Sequence, residues 1–276
     1  MENVKAKYCA RGISIVAAKE NRASGFAFRN ITVGRADDTN LVFENVDDLE
    51  IGGVRLGTYH PLAERGVLAL TFDGREPLNS RERALALFEK YGAHATFFIP
   101  GHFDKEAVAL AKGLEVRGHT IGLGGLNNRR AAEFLAEGGT AEQYIREEIE
   151  PQIAEAKSAG FDPKFWAYPG NDCNAETDYR IAYWFFRRNR AGGSMESATI
   201  PVHLLTHRGS WRRTLHSMEL DASTDYGALL KHLEKVADEN LCLSTFSRHI
   251  AGSNDGTSCP ADELERILKR AQELGI

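Results

Sequence analysis

A chain of 276 residues, 42% hydrophobic and 26% charged, can bury a substantial core as one large α/β domain or two smaller ones. Its net charge of −5, with no long basic tract, argues against nucleic acid as the main partner. No apolar run is long enough to span a membrane, and Met1-Glu-Asn-Val-Lys-Ala-Lys7 lacks the apolar core of a signal peptide, although a chain trimmed of a leader would read the same. Cys9, Cys173, Cys242 and Cys259 are far apart and form no Cys-x-x-Cys pair, so free thiols are expected rather than a structural zinc knuckle. A Cys173–Cys259 disulfide stays open at this level.

Residues 1–65 hold short strand-like pieces, Gly12-Ile-Ser-Ile-Val16, Gly25-Phe-Ala-Phe28, Asn40-Leu-Val-Phe43 and Leu49-Glu-Ile51, separated by turn residues. They read as a β-rich N-terminal extension without an evident internal repeat. The main domain, 66–276, alternates short apolar runs with helical patterns, as βα units around a parallel sheet or barrel do. Leu68-Ala-Leu-Thr-Phe-Asp-Gly-Arg75 predicts a buried strand that delivers Asp73 to a turn. Asn79 and Glu82 have capping-box spacing before a helix ended by Gly92. Strands follow at Ala95–Ile99 and His119–Gly122, around a helix capped by Asp104 and closed by Gly118. Thr140 and Gln143 cap another helix, in which Pro151 predicts a kink near Glu150.

Lys164-Phe-Trp-Ala-Tyr168 is the next strand, before a helix capped by Asn174 that runs through Ile181, Trp184 and Phe185. Arg187-Arg-Asn-Arg190 then reads as a solvated basic helix end. Ile200–Leu205 and Leu241–Phe246 are two later strands, flanking a helix marked by Leu229, Leu233 and Val236. A final amphipathic helix starts at Pro260.

Five motifs in order resemble the polysaccharide deacetylases, a family of metal-dependent carbohydrate esterases. Leu70-Thr-Phe-Asp-Gly74 is similar to the first motif, Thr-Phe-Asp-Asp-Gly. Tyr91-Gly-Ala-His-Ala-Thr-Phe-Phe-Ile99 resembles the Tyr-Gly-x-x-Ala-Thr-Phe-Phe strand, and Arg117-Gly-His-Thr-Ile-Gly122 the Gly-His-x-Ile-Gly turn. Phe165-Trp-Ala-Tyr-Pro-Gly170 resembles the third motif, and Ser244-Thr-Phe-Ser-Arg-His-Ile250 the last histidine-bearing strand. The resemblance covers roughly residues 66 to 276. It implies a distorted (β/α) barrel with its groove at the carboxyl ends of the strands, and a carbohydrate polymer or oligosaccharide as partner. It also suggests envelope or extracellular glycans; the chain itself carries no export signal.

The departures matter as much as the matches. In the family, one aspartate and two histidines hold a divalent metal such as zinc, which polarises the acetyl carbonyl and activates water. Here the ligand positions fall on Gly74, Gly124 and Asn128, unless a deletion lets Asp73 fill the first of them. Glycine has no donor atom and an amide oxygen suits zinc poorly, so no metal cofactor is expected. Trp166 stands where the third motif has the arginine that orients the catalytic aspartate.

Asp73 and His249 are the candidate base and acid, with Asp73 as a turn cap and His249 on a backbone carbonyl as the plainer readings. Either Arg248 or His249 faces the groove, because adjacent strand residues point to opposite faces. Trp166, Tyr168 and Asn171 are candidates for a sugar subsite, with core packing the alternative for Trp166. Asp172 is a possible substitute carboxylate, and His119 reads as structural. The expected function is action on an acetylated or amino-sugar polymer with weak or lost turnover, or glycan binding without catalysis.

Overall fold

The computed structural model describes residues 66–174, 176–178, 181, 185, 188–193, 205–207, 214–250 and 258–276, together with strand segments of the first 55 residues. For some of these, His249 among them, only the backbone is described. The N-terminal strands are β1 (Lys5–Ala6), β2 (Ile13–Val16), β3 (Ala23–Phe28), β4 (Thr32–Val33), β5 (Leu41–Glu44), β6 (Val46–Ile51) and β7 (Val54–Arg55). β1 pairs in parallel with β4, β2 with β5 and β3 with β6, while β7 returns antiparallel on β6. Each of β1 to β3 thus pairs with the strand three places further on. This is the connectivity of two stacked turns of a parallel solenoid. The expected β pieces are present, and the repeat lies in their pairing rather than in their residues.

In the main domain, β8 (Val67–Asp73), β9 (Thr96–Ile99), β10 (Thr120–Leu123), β11 (Phe165–Ala167), β12 (Arg188–Gly193), β14 (Thr214–Glu219) and β15 (Leu241–Ser247) run parallel. β15 pairs back onto β8 and closes a seven-stranded barrel. β13 (Leu205–His207) lies antiparallel on β15. After the barrel, β16 (His249–Ile250) pairs with β17 (Ser258–Cys259). The helices are α1 (Leu78–Tyr91), α2 (Lys105–Val116), α3 (Ala131–Ala136), α4 (Ala141–Tyr144), α5 (Glu150–Ser158), α6 (Tyr226–Asp238) and α7 (Ala261–Leu274). This is the expected α/β barrel, and none of the helices among the described residues is long and apolar enough to cross a membrane.

Alternation in β8 explains how the barrel is packed. Phe72 turns outward, stacks on Phe97 of β9 at 5.5 Å and meets Phe88 of α1 edge-on at 5.7 Å. His119 completes that cluster: it is buried, packs on Phe88 and Phe97, and accepts a hydrogen bond from the Ala95 amide through Nδ1 at 3.2 Å.

The helix ends follow their local chemistry with two adjustments. Asp104 and Thr140 cap their helices as expected, the latter in a full capping box with Gln143. α1 begins one residue before Asn79, with Pro77 at its cap position and no side-chain cap. The kink expected from Pro151 is absorbed by a π-helical turn, Ile145–Ile149, which places the proline in the first turn of α5, where its missing N–H costs little.

Two larger differences concern strands. Arg188–Gly193 is barrel strand β12, not a helix end, and β14 has no counterpart in the sequence reading. Of the expected strand at 200–205, only Leu205 falls among the described residues. Cys173, Cys242 and Cys259 are free thiols, and Cys9 lies outside the described residues.

Candidate functional site

Asp73 ends β8, where the Gly74 amide donates to the Phe98 carbonyl at 3.2 Å and the chain turns away. With Phe72 facing the helices, Asp73 faces the barrel interior. There Arg190 Nη2 of β12 donates to Asp73 Oδ2 at 2.7 Å. The guanidinium lies over the rings of Phe98, at 5.2 Å, and Phe246, at 4.7 Å, and Arg190 is only 3% exposed. The Asp73 side chain is 29% exposed overall, yet its Oδ1 is sealed from solvent and has no hydrogen-bond partner among the described residues. Arg190 Nε and Nη1 are likewise buried without partners. Burial raises the Asp73 pKa above the usual carboxylate range, against the downward pull of Arg190 and Arg248 and with a further upward push from Glu76.

A second ion pair lies at the same mouth. Glu219, the last residue of β14, meets Arg248 just beyond β15, with Arg248 Nε 3.3 Å from Glu219 Oε1. Their side chains are 33% and 58% exposed, respectively. Burial raises the pKa of Glu219, Arg248 and Arg190 lower it, and Asp221 and Asp73 raise it further.

The loops that follow β8, β9 and β10 are tied to one another. Arg75 pairs with Asp104, and the buried Arg81 with Glu76. Gly101 donates to the Gly125 carbonyl at 2.8 Å. Gln152, fully buried in α5, donates to the Ile99 and Gly101 carbonyls at 3.0 and 2.8 Å and accepts from the Gly125 amide at 3.0 Å. Replacing Gln152 by Leu removes three hydrogen bonds to backbone, of whose partners the Ile99 carbonyl keeps the Gly124 amide, and should cost about 2 kcal/mol of unfolding free energy, measured by urea titration. A loss near zero would show that the loops hold their shape without it.

The sequence-predicted residues divide sharply. Asp73 is at the mouth and engaged by a cation. Arg248 pairs with Glu219 and acts on Asp73 through its charge, which puts it on the groove side; the His249 side chain lies outside the described residues. Trp166 and Tyr168 are 0% and 1% exposed and pack edge to face at 6.2 Å. The Tyr168 hydroxyl donates to Asp178 Oδ1 at 2.7 Å, beside the Asn189 amide at 2.9 Å. Both rings therefore fill the layer outside the strands and present no face to a sugar. Asn171 sits at φ 58° in the turn Pro169–Asn171, its Oδ1 buried without a partner among the described residues. Asp172 accepts from the Ala132 amide at 3.2 Å, at the start of α3.

The positions that resemble metal-ligand sites are defined by backbone. Gly74 has φ +113°, and a Cβ there would meet the Glu76 carboxylate at 2.8 Å, so an aspartate at that position would be strained. Gly124 carries no donor, and Asn128 adopts the left-handed φ of 57° that asparagine tolerates better than most residues. Among the described residues, no three His, Cys, Asp or Glu side chains converge as ligands of an ion. Gly74 and Gly124, at two of the positions that resemble ligand sites, offer no side-chain donor to a cation.

Arg190 and Glu219 are the residues that the sequence reading missed. A signal for Arg190 existed: Trp166 stands where the resembled motif has an arginine, and Arg190 belongs to the basic run Arg187-Arg-Asn-Arg190 that follows it.

Residues 62–184 match the family model described as polysaccharide deacetylase. Among solved structures, the chain is similar to a CE4 esterase from Streptococcus mutans, with 18% identity, 76% of this chain and 83% of that one covered, and a TM-score of 0.50. It is also similar to a peptidoglycan deacetylase from Bacillus subtilis, with 15% identity, 78% and 86% covered and a TM-score of 0.47. A CE4 family pseudoenzyme from Bacillus anthracis matches with 12% identity, 78% and 62% covered and a TM-score of 0.46. The first of these likenesses supports the barrel fold. No curated protein matches the sequence.

Proposed function

We propose that this chain, whose residues 62–184 match the polysaccharide deacetylase model, keeps a groove for an acetylated or amino-sugar polymer and releases acetyl groups slowly, without the divalent metal of that family. The observation that carries this reading is Asp73, held at the barrel mouth by Arg190 with one oxygen left unpartnered. The guanidinium that the third motif lacks at Trp166 is supplied from the neighbouring strand, so the carboxylate is oriented as a base toward water. Loss of metal polarisation removes several kcal/mol of transition-state stabilisation, which a carboxylate alone does not restore. Residues 1–65 are read as a separate β-rich unit appended to the barrel domain of 66–276.

Acetate release from acetylated chito-oligosaccharides tests this reading. Slow release that disappears in Asp73→Ala is expected. Release untouched by Asp73→Ala would remove Asp73 from the chemistry, and stoichiometric zinc found by elemental analysis would overturn the metal-free view. Glycan binding with no release from the wild-type protein would favour the second reading, a non-catalytic glycan-binding module, which the absence of ligand side chains at Gly74 and Gly124 supports.

A further inference from the structure

We infer that Glu219 is the second carboxyl group of this cleft and the proton donor to the leaving group, in place of the histidine that ends the last motif in the family. The inference rests on the acetyl-releasing reading of the site and deepens it. Its basis is position. Glu219 ends β14 and is in register with Phe246 of β15, which is in register with Thr71 of β8, two residues before Asp73. Glu219 and Asp73 thus close two parallel strands separated by one, with their backbones about 10 Å apart across the sheet. Both side chains rise from the carboxyl-terminal rim, where barrels of this kind place their chemistry.

The Glu219 surroundings favour a group that holds and releases a proton. Arg248 is bound to it, Arg190 lies close enough to act on it by charge, and the other ionisable groups acting on it are Asp73 and Asp221. Arg248 and Arg190 favour the ionised form of Glu219, whereas the charges of Asp73 and Asp221 oppose it, so the two carboxyls of the rim repel each other and one can hold a proton while the other is ionised. Partial burial supports the protonated form of Glu219. A guanidinium is too weak an acid for this step, so the role does not fall to Arg248.

The chemistry balances without a co-reactant other than water. Asp73 takes a proton from water as the water oxygen bonds to the acetyl carbonyl carbon. Glu219 gives its proton to the sugar nitrogen or oxygen as the bond from that atom to the acetyl carbon breaks. Acetic acid and the free amine or hydroxyl leave, the acid giving its proton to solvent or to the amine, and a proton passes from Asp73 to Glu219 through solvent.

The test uses the full chain with Glu219→Gln, Glu219→Asp and Asp73→Asn. Acetate release from acetylated chito-oligosaccharides should fall about a hundredfold in Glu219→Gln, recover in part in Glu219→Asp, and lose its decline at high pH in Glu219→Gln. With carboxyl-labelled glutamate, the resonance that vanishes in Glu219→Gln should titrate above the surface glutamates and move down in Asp73→Asn. Release unchanged by Glu219→Gln, or a Glu219 resonance indifferent to Asp73→Asn, overturns the inference and leaves the reading of the site standing. No release from the wild-type protein at any pH overturns the reading itself, and the proton-donor role with it.

Discussion

Arg190→Met should lower the unfolding free energy by about 3 kcal/mol near pH 7, because it takes from the Asp73 carboxylate in the barrel mouth the one hydrogen-bonded cation it has among the described residues. Methionine fills much of the volume between Phe98 and Phe246, so the loss reports charge more than packing. The sign of its pH dependence separates the two causes. Asp73 already has a raised pKa through burial, and removing Arg190 takes away the largest opposing influence, so the pKa rises further. A group whose folded pKa exceeds its unfolded value gives stability below the unfolded value and loses it as pH rises through the folded one. The deficit of Arg190→Met should therefore shrink as pH falls toward about 4, where a neutral carboxyl needs no partner. Urea denaturation of both proteins across that range measures it. A deficit that stays constant with pH would assign the loss to packing, and one below about 1 kcal/mol would mark the pair as an ordinary surface contact.

Acid should also weaken the fold through His119. Burial, with help from His94 and Arg117, pushes its pKa down from 6.5 to about 4. Below the ordinary value the unfolded chain takes up a proton that the folded chain refuses, so stability falls as pH drops through this window and rises as pH climbs back. The shift corresponds to about 3 kcal/mol lost between those two values. Asn in place of His119 can keep an acceptor for the Ala95 amide without a group that titrates there. His119→Asn should thus be less stable near neutral pH yet lose less on acidification. Parallel pH–stability curves for the two proteins would show that His119 is not the sensor.

The fold was legible in the sequence wherever an element is a short apolar run or carries one apolar helical face. β8 and β9 are such runs, α6 and α7 have such faces, and the structure places them as read. β12 and β14 are not such runs. These strands put the polar residues Arg190, Ser217 and Glu219 on the same face as Asp73, in the barrel interior, so their periodicity resembles that of a loop or a helix end. In the N-terminal segment the strands were readable, but their parallel stacking was not, since pairing between distant strands leaves no local trace.

The same limit applies to the site. Asp73 declared itself by its place at a strand end, whereas its partner comes from 117 residues further along the chain. Trp166 and Tyr168 read as subsite residues because both faces of a barrel strand are buried and an aromatic does not reveal which face it occupies.

The most direct measurement is calorimetric titration of an acetylated chito-oligosaccharide into the wild-type protein and into Asp73→Ala. If the barrel mouth is a glycan groove built around the Asp73–Arg190 pair, the wild-type protein binds the sugar and the variant binds it at least about tenfold more weakly, or about 1.4 kcal/mol. No binding by the wild-type protein, or equal binding by both, would contradict it.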